Sequence, residues 1–422
     1  MGTVLLGWEL GDGLGHVVKL LEIAQELAAH GHTPVLALKD LAVARALLRD
    51  VPFQILQAPV WWQPVPNSFR ASSYADILAL KGYADADGLT LMVGAWEALL
   101  EHIRADLVVC DFAPTLCLAA YGVMPSLVIG IGFAVPPAQG EEFPPLGPRF
   151  GTIMPTSRLL EVVREVQRRR HRPAPETLPA LVAGSARFVH TVPEIDAYRA
   201  TRTDAVVEPL RPPGPPLPPP ATDSFFAYLN AEYPGVGLIL PQLAASGFHG
   251  AAYVRGAPAR LVDAARRAGV VIHDEPVPLT SALAHCSVVI HHGGLNTAEA
   301  ALAAGRPQLT LPIHLEHILT ARALEDLGVG RSLTGHYAVR AVADLLRAVS
   351  APGGCSQRAL AFAQTVETRH YQGCLSKIID CCQACLAEQE RSLNVATPTP
   401  PKTYRESPWV LPAASASRQI TF

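Results

Sequence analysis

Residues 288–299 read Val288-Val289-Ile290-His291-His292-Gly293-Gly294-Leu295-Asn296-Thr297-Ala298-Glu299, and the stretch continues to Gly305-Arg306-Pro307. It spells a strand, a glycine turn and a helix. Val288 to Ile290 is an apolar β-branched run of the kind that fills a buried parallel strand. The two glycines allow a sharp turn, Asn296 or Thr297 can cap the helix, and Ala298 to Ala304 is strongly helix-forming. Gly305 stands at the C-terminal cap position with Pro307 just beyond. A helix N-terminus behind two glycines offers free N–H groups and a positive dipole end to a phosphate. Such turns occur in every α/β protein. Two histidines and an Asn-Thr pair in the same turn sharpen this one into an anion site.

Working outward, the same pattern recurs. On the C-terminal side lie a strand Gln308–Leu311 and a helix Ile318–Leu327. On the N-terminal side are strands Phe225–Leu229, Ala251–Val254 and Val270–His273, with helices Val236–Ala245, Pro258–Ala268 and Thr280–His285 between them. Residues 209–221 are dense in proline, so they can be neither helix nor central strand and form a stiff connector. Before the connector a second α/β pattern runs: strands Thr3–Trp8, Pro34–Leu38, Phe53–Leu56, Leu107–Cys110 and Ser126–Ile129, with a helix Val17–Ala29 after the first. The expected organisation is two doubly wound, Rossmann-like α/β domains facing across a cleft, residues 1–208 and 222–390, the latter with terminal helices. Residues 391–422, rich in Pro, Ser and Thr, are expected to be a disordered tail.

Composition narrows the function. Of 422 residues, 49% are hydrophobic and 17% charged, enough for two large cores. A net charge of -3 gives no general attraction to nucleic acid and at most peripheral membrane contact. No apolar run is long enough for a membrane span, and the N-terminus lacks the basic start of a signal peptide, so a cytoplasmic protein is expected. Cys374, Cys381, Cys382 and Cys385 cluster at helical spacing without zinc-module loops and read as small helix-packing residues; no metal is expected. Arg168-Arg169-Arg170 reads as a solvated face at a helix C-terminus. Asp85-Ala86-Asp87 lies among helices and is taken as a chance match to a metal-binding pattern.

The chemistry is expected between the carboxyl ends of the two sets of strands. His16 sits at the tip of Gly11-Asp12-Gly13-Leu14-Gly15-His16, after the first strand. An imidazole there can take a proton from a hydroxyl near neutral pH. Asp111 ends the strand Leu107–Cys110 on the same sheet edge and can hold the histidine's tautomer. Taken singly, His16 could be bonded to loop backbone and Asp111 could be a helix cap; both at strand ends favour the functional reading. The glycine loop is not G-x-G-x-x-G, so a dinucleotide fingerprint is weak. In the second half, Glu316 and His317 begin a helix and can offer an acceptor and a donor to sugar hydroxyls.

His292-Gly293-Gly294-Leu295-Asn296-Thr297, Gly305-Arg306-Pro307, Pro312, Glu316-His317, Ala321, Leu324 and Gly328-Val329-Gly330 resemble the sugar-nucleotide signature of GT-B glycosyltransferases, most nearly the bacterial UDP-glycosyltransferase-like, family-1-type enzymes. Gly13-Leu14-Gly15-His16 resembles their acceptor-side loop with its catalytic histidine, and Asp111 in Val108-Val109-Cys110-Asp111-Phe112-Ala113-Pro114 resembles that histidine's partner. The resemblance implies the GT-B fold and an inverting transfer, of hexosyltransferase type, from a UDP- or dTDP-sugar to the hydroxyl of a small-molecule or lipid acceptor. No cofactor beyond that nucleotide-diphosphate sugar is implied. His16 would be the base. His292, Gly293, Gly294, Asn296, Thr297 and the helix N-terminus would hold the diphosphate, and Glu316 and His317 the donor sugar. Trp61 and Trp62, with the Pro-rich segment 134–148, are expected to line the acceptor side.

Three departures from the pattern stand out. In the family pattern the ribose-binding glutamate stands where Ala300 is; Glu299, one residue earlier and so turned by about 100° on a helix, is expected to take the donor's ribose only through a local shift of the helix start. His317 replaces a glutamine. Asp274-Glu275-Pro276-Val277-Pro278 lacks an aromatic to stack the base. Two other readings fit the same signature: a sugar-nucleotide epimerase or hydrolase, and a catalytically silent sugar-nucleotide-binding protein. Whether donor is consumed, and whether an acceptor is needed, separates the three.

Overall fold

Strand β1 (Thr3–Trp8) is apolar on both sides because both faces of its sheet are covered. Val4, Leu6 and Trp8 pack under the helix Gly15–Ala29, while Leu5 faces a separate core with Val93, Trp96 and Leu116. In the computed structural model, which describes residues 1–62, 71–147, 153–220, 222–333, 342–351 and 353–395, β1 is central to a parallel seven-stranded sheet. Its other members are β2 (Thr33–Leu38), β3 (Gln54–Gln57), β4 (Leu107–Asp111), β5 (Ser126–Gly130), β6 (Ala186–Val189) and β7 (Val206–Val207), in the order β3-β2-β1-β4-β5-β6-β7.

A second parallel sheet follows the connector, made of β8 (Ser224–Asn230), β9 (His249–Arg255), β10 (Val271–His273), β11 (Val288–His291), β12 (Gln308–Thr310) and β13 (Gly330–Ser332), in the order β10-β9-β8-β11-β12-β13. Both sheets reverse direction of build next to their first strand, between β1 and β4 and between β8 and β11. Loops at such a switch point diverge and leave a crevice at the strands' carboxyl ends. His16 and Asp111 flank the first crevice, and the glycine turn after β11 borders the second.

The expected two α/β domains are present, with three strands, β6, β7 and β13, that the periodicity did not reveal. The terminal helices divide. The helices Val342–Ser350 and Cys355–Thr368 contribute Val342, Leu346 and Ala359 to cores of the second domain. The helix Cys374–Val395 crosses back to the first. Its Leu375, Ile378, Ile379, Cys382 and Leu386 complete the core under Val4, Leu6 and Leu127. Each such buried aliphatic contributes about 1.5–3 kcal/mol, which is why this helix docks there and not beside its sequence neighbours. Cys374 and Cys382 are buried in that seam, and Cys381 and Cys385 are half-buried at its edge. The helix also carries residues 391–395, at the start of the expected tail; residues 396–422 lie outside the described residues.

Two sequence features resolve into local structure. Asp85 caps the helix Ala86–Ile103, accepting from the Asp87 N–H at 3.0 Å. Arg168 and Arg169 pair with Glu165, Arg169 also with Asp87, and Arg170 with Glu97, so the arginine run ties a helix end to its surroundings. Among the described residues no helix is long and apolar enough to cross a membrane.

The domains meet through the segment after β6. Val192 and Ile195 pack against Leu295, Ala298, Leu302 and Ala323. Arg199 pairs with Asp326 at 2.6 Å, and Arg369 donates to Glu194 at 3.0 Å.

Candidate functional site

The loop leaving β1 is built to present His16. Trp8 donates its indole N–H to the Leu10 carbonyl at 2.7 Å, and its ring lies nearly parallel to the His16 imidazole with centroids 5.1 Å apart. Gly11 adopts a left-handed φ of 78°, and a Cβ there would stand 2.9 Å from His16 Nε2, so a side chain is excluded twice over. Lys39 donates to the Gly11 carbonyl and to Asp12, each at 2.6 Å, and clamps the loop.

His16 Nδ1 lies 2.8 Å from Asp111 Oδ2. The register of β1 on β4, with Trp8 opposite Asp111, brings the two together. Asp111 is fully buried. Burial alone would raise its carboxyl, but the neighbouring His16 and Lys19 more than offset this and hold it down at about 2. An ionised carboxylate only accepts, so Nδ1–H of His16 donates to it, and in the neutral ring Nε2 carries the lone pair. Lys19, one turn after His16, lies 4.0 Å from Asp111 Oδ2 and donates to His190 Nε2 at 3.0 Å. His190 is kept neutral by burial and by the Lys19 charge. Neither Lys19 nor His190 was singled out from sequence. The helical spacing from His16 could have flagged Lys19, whereas His190 follows a strand that the pattern did not show.

His16 and Lys19 line a cavity of about 410 Å³ between the domains, walled also by Asp12, Phe112, Ile131 and Phe133 on the first side. The second domain supplies Gly294, Leu295, Asn296, Thr297, His314, Glu316 and His317. Asn296 reaches across: a Cβ on Gly15 would stand 2.8 Å from its Nδ2. Gly293 has φ of 97°, and a Cβ there would strike the His317 carbonyl oxygen at 2.8 Å, so glycine lets the turn after β11 approach the helix Leu315–Asp326. A second cavity, about 350 Å³, continues from the first along β8 and β9 past Tyr228, Asn230, Arg255 and His292.

Most of the expected residues thus converge, and four are placed or bonded otherwise than their expected roles require. His292 lines the second cavity, but Nδ1–H donates to the Leu311 carbonyl and Nε2 accepts from the Asn230 N–H, both at 2.8 Å. Its nitrogens tie β11 to its neighbours, leaving none for a phosphate. Glu299 lines neither cavity. Its carboxylate accepts the Val192 N–H at 2.9 Å across the domain boundary, and burial pushes it up to about 7. One residue of helical rotation turned it from the cleft to the interface. Trp61 lies over Gly82 and Gly88, whose missing side chains open a slot for the indole, and Trp62 is 66% exposed. Neither tryptophan lines the 410 Å³ cavity, nor does any described residue of 134–148; Phe112, Ile131 and Phe133 supply its apolar side.

This architecture, two parallel α/β sheets facing across a cleft, is the GT-B fold. Residues 263–350 match the family described as erythromycin biosynthesis protein CIII-like, C-terminal domain. Elloramycin glycosyltransferase ElmGT of Streptomyces olivaceus is 40% identical over 96 residues, covering 19% of this chain and 25% of that protein. The chain spans a quarter or less of the length of the curated relatives it matches. The calicheamicin glycosyltransferase CalG4 superposes with a TM-score of 0.66 at 17% identity, over 92% of this chain and 99% of that one. The spinosyn rhamnosyltransferase SpnG, complexed with thymidine diphosphate, does so at 0.62 and 17%, over 90% and 100%.

Proposed function

We propose that the protein is an inverting glycosyltransferase that moves a sugar from a nucleotide-diphosphate sugar to a hydroxyl of an apolar small molecule. The observation that carries this is the 2.8 Å contact of His16 with Asp111 on one wall of the cavity, opposite the helix N-terminus at Leu295. In the proposed step the acceptor O–H gives its proton to His16 Nε2, the oxygen bonds to the anomeric carbon, and the bond from that carbon to the diphosphate oxygen breaks. The bonding pair leaves with the diphosphate. Asp111 stabilises the imidazolium that forms. The first N–H groups of the helix and the Asn296 and Thr297 side chains meet the leaving charge, and the 350 Å³ cavity holds the nucleoside. Glu316 and His317 border the donor sugar.

A thymidine- or uridine-diphosphate sugar is the favoured donor; SpnG, with thymidine diphosphate, supports the former. Phe112, Ile131 and Phe133 favour an apolar acceptor, in keeping with the antibiotic glycosyltransferases among the relatives. The test is donor consumption with a panel of polyketide-type hydroxyl acceptors. His16→Ala is expected to lower turnover by about 10²–10⁴ while leaving nucleotide binding intact. Turnover unchanged in His16→Ala would sink the base assignment. Donor converted without any acceptor would favour an epimerase or hydrolase.

A further inference from the structure

Asp12, Gly294, Thr297, His314 and His317 line both cavities. On the donor reading above, that junction is where a diphosphate lies, between nucleoside and sugar. Two imidazoles stand there in a stack, His314 on His317 with centroids 3.7 Å apart and planes 29° apart. His292 continues the column, 6.3 Å from His317 and 14° from parallel. His292 is neutral, its nitrogens both bonded to backbone. His317 is inner; its Nδ1 is buried without a partner. His314 is the exposed member.

The charges facing His314 come from several elements. Asp12, in the loop after β1, is already paired with Lys39 at 2.6 Å. Lys19 and His16, on the helix Gly15–Ala29, are turned to His190 and Asp111. Glu316 follows on its own helix, His291 ends β11 with His292 next in the turn, and Arg255 ends β9 at the far side of the second cavity. Two imidazolium ions at 3.7 Å would repel, so the pair holds at most one proton, and the exposed ring is the one that can hydrate it. Partial loss of water, with His292 beside it, holds His314 below the usual histidine range against the opposing pull of Asp12, and burial with the His314, His292 and His291 imidazoles does the same for His317. A diphosphate within a few ångströms reverses that balance, because an opposite charge at about 4–6 Å favours the charged form.

We infer that His314 is a proton-linked ligand of the donor diphosphate: its imidazole is neutral in the free protein, takes one proton from solvent as the diphosphate binds, and meets it as a cation. The linkage has a definite sign. Between the free and bound titration ranges, donor affinity falls about tenfold for each unit rise in pH. The inference rests on the donor reading, and calorimetry separates the two. dTDP-glucose and UDP-glucose are the probes, since their esterified phosphates do not titrate near neutral pH. Each is titrated near pH 7 in buffers of low and high ionisation enthalpy. The expected result is uptake of close to one proton in the natural protein and in His317→Gln, and uptake near zero in His314→Gln, which still binds. Binding without uptake, or uptake that persists in His314→Gln, overturns the inference and leaves the donor reading standing. A protein that binds neither probe overturns both.

Discussion

The Lys19 ammonium donates to His190 Nε2 at 3.0 Å while standing 4.0 Å from the Asp111 carboxylate. The lysine therefore links β6 to the His16–Asp111 pair through side chains alone. Replacing it by methionine keeps the volume but leaves His190 without its donor and Asp111 without its second cation. Lys19→Met is expected to lose about 1–3 kcal/mol of unfolding free energy and to lower kcat roughly tenfold, with donor KM changed much less. Denaturant unfolding beside steady-state kinetics checks both. A KM effect larger than the kcat effect would make Lys19 a substrate ligand instead.

Asp111 also gives the protein an acid limit. Its folded carboxyl is held at about 2, below the ordinary value of 3.8. A depressed carboxylate stabilises the fold above its unfolded pKa, and that stability is lost as pH falls through the folded value. Asp111→Asn is expected to be less stable than the natural protein by about 2 kcal/mol near neutrality, the gap closing between about pH 4 and pH 2. Acid titrations of the two, followed by circular dichroism, measure it. A gap independent of pH would contradict the assignment.

Glu299 has the opposite sign. Its carboxyl is raised from 4.5 to about 7, so the folded state favours the protonated form. The charged form costs stability as pH rises from about 4.5 to about 7. Glu299→Gln keeps an acceptor for the Val192 N–H without the charge. The variant is expected to melt above the natural protein at pH 8 and level with it at pH 4.5. Because Glu299 faces the interface, donor KM is expected to change less than about twofold. A large rise in donor KM would restore it to the ribose.

On the acceptor side, Phe133→Ala removes part of the cavity wall and is expected to raise acceptor KM roughly tenfold with donor KM unchanged. Trp62→Ala is expected to leave both unchanged, since its indole is largely in water. Kinetics with one acceptor at saturating donor decide between the two surfaces.

What was legible in the sequence follows a physical rule. The sequence shows the strand Thr3–Trp8 at its observed bounds because burial on both faces writes a continuous apolar run. His16 and Asp111 were legible because residues at the ends of neighbouring parallel strands must meet. His190 was not, since β6 has only four residues and its local pattern is short. Glu299 and Trp61 were misplaced for a shared reason: the side-chain type fitted a role, but direction is set by one residue of helical phase or by two glycines elsewhere in the chain. The helical spacing of Cys374, Cys381, Cys382 and Cys385 marks a packing face on the helix Cys374–Val395, yet such a face does not say which core it completes.

That returning helix has a mechanical consequence. The chain leaves the first domain at Pro209-Leu210 and re-enters it at Cys374-Leu375, and the crossings are bonded side by side, Cys374 N–H to the Pro209 carbonyl at 2.9 Å and Leu375 N–H to the Leu210 carbonyl at 3.0 Å. The second domain is therefore an insertion held on a two-stranded hinge, not a bead on a string. Swivelling would twist the crossings around each other, whereas bending moves them together. Paired crossings of this kind resist twisting more than bending, and Asn296 stands against Gly15 on the side of the cleft that such a bend would open.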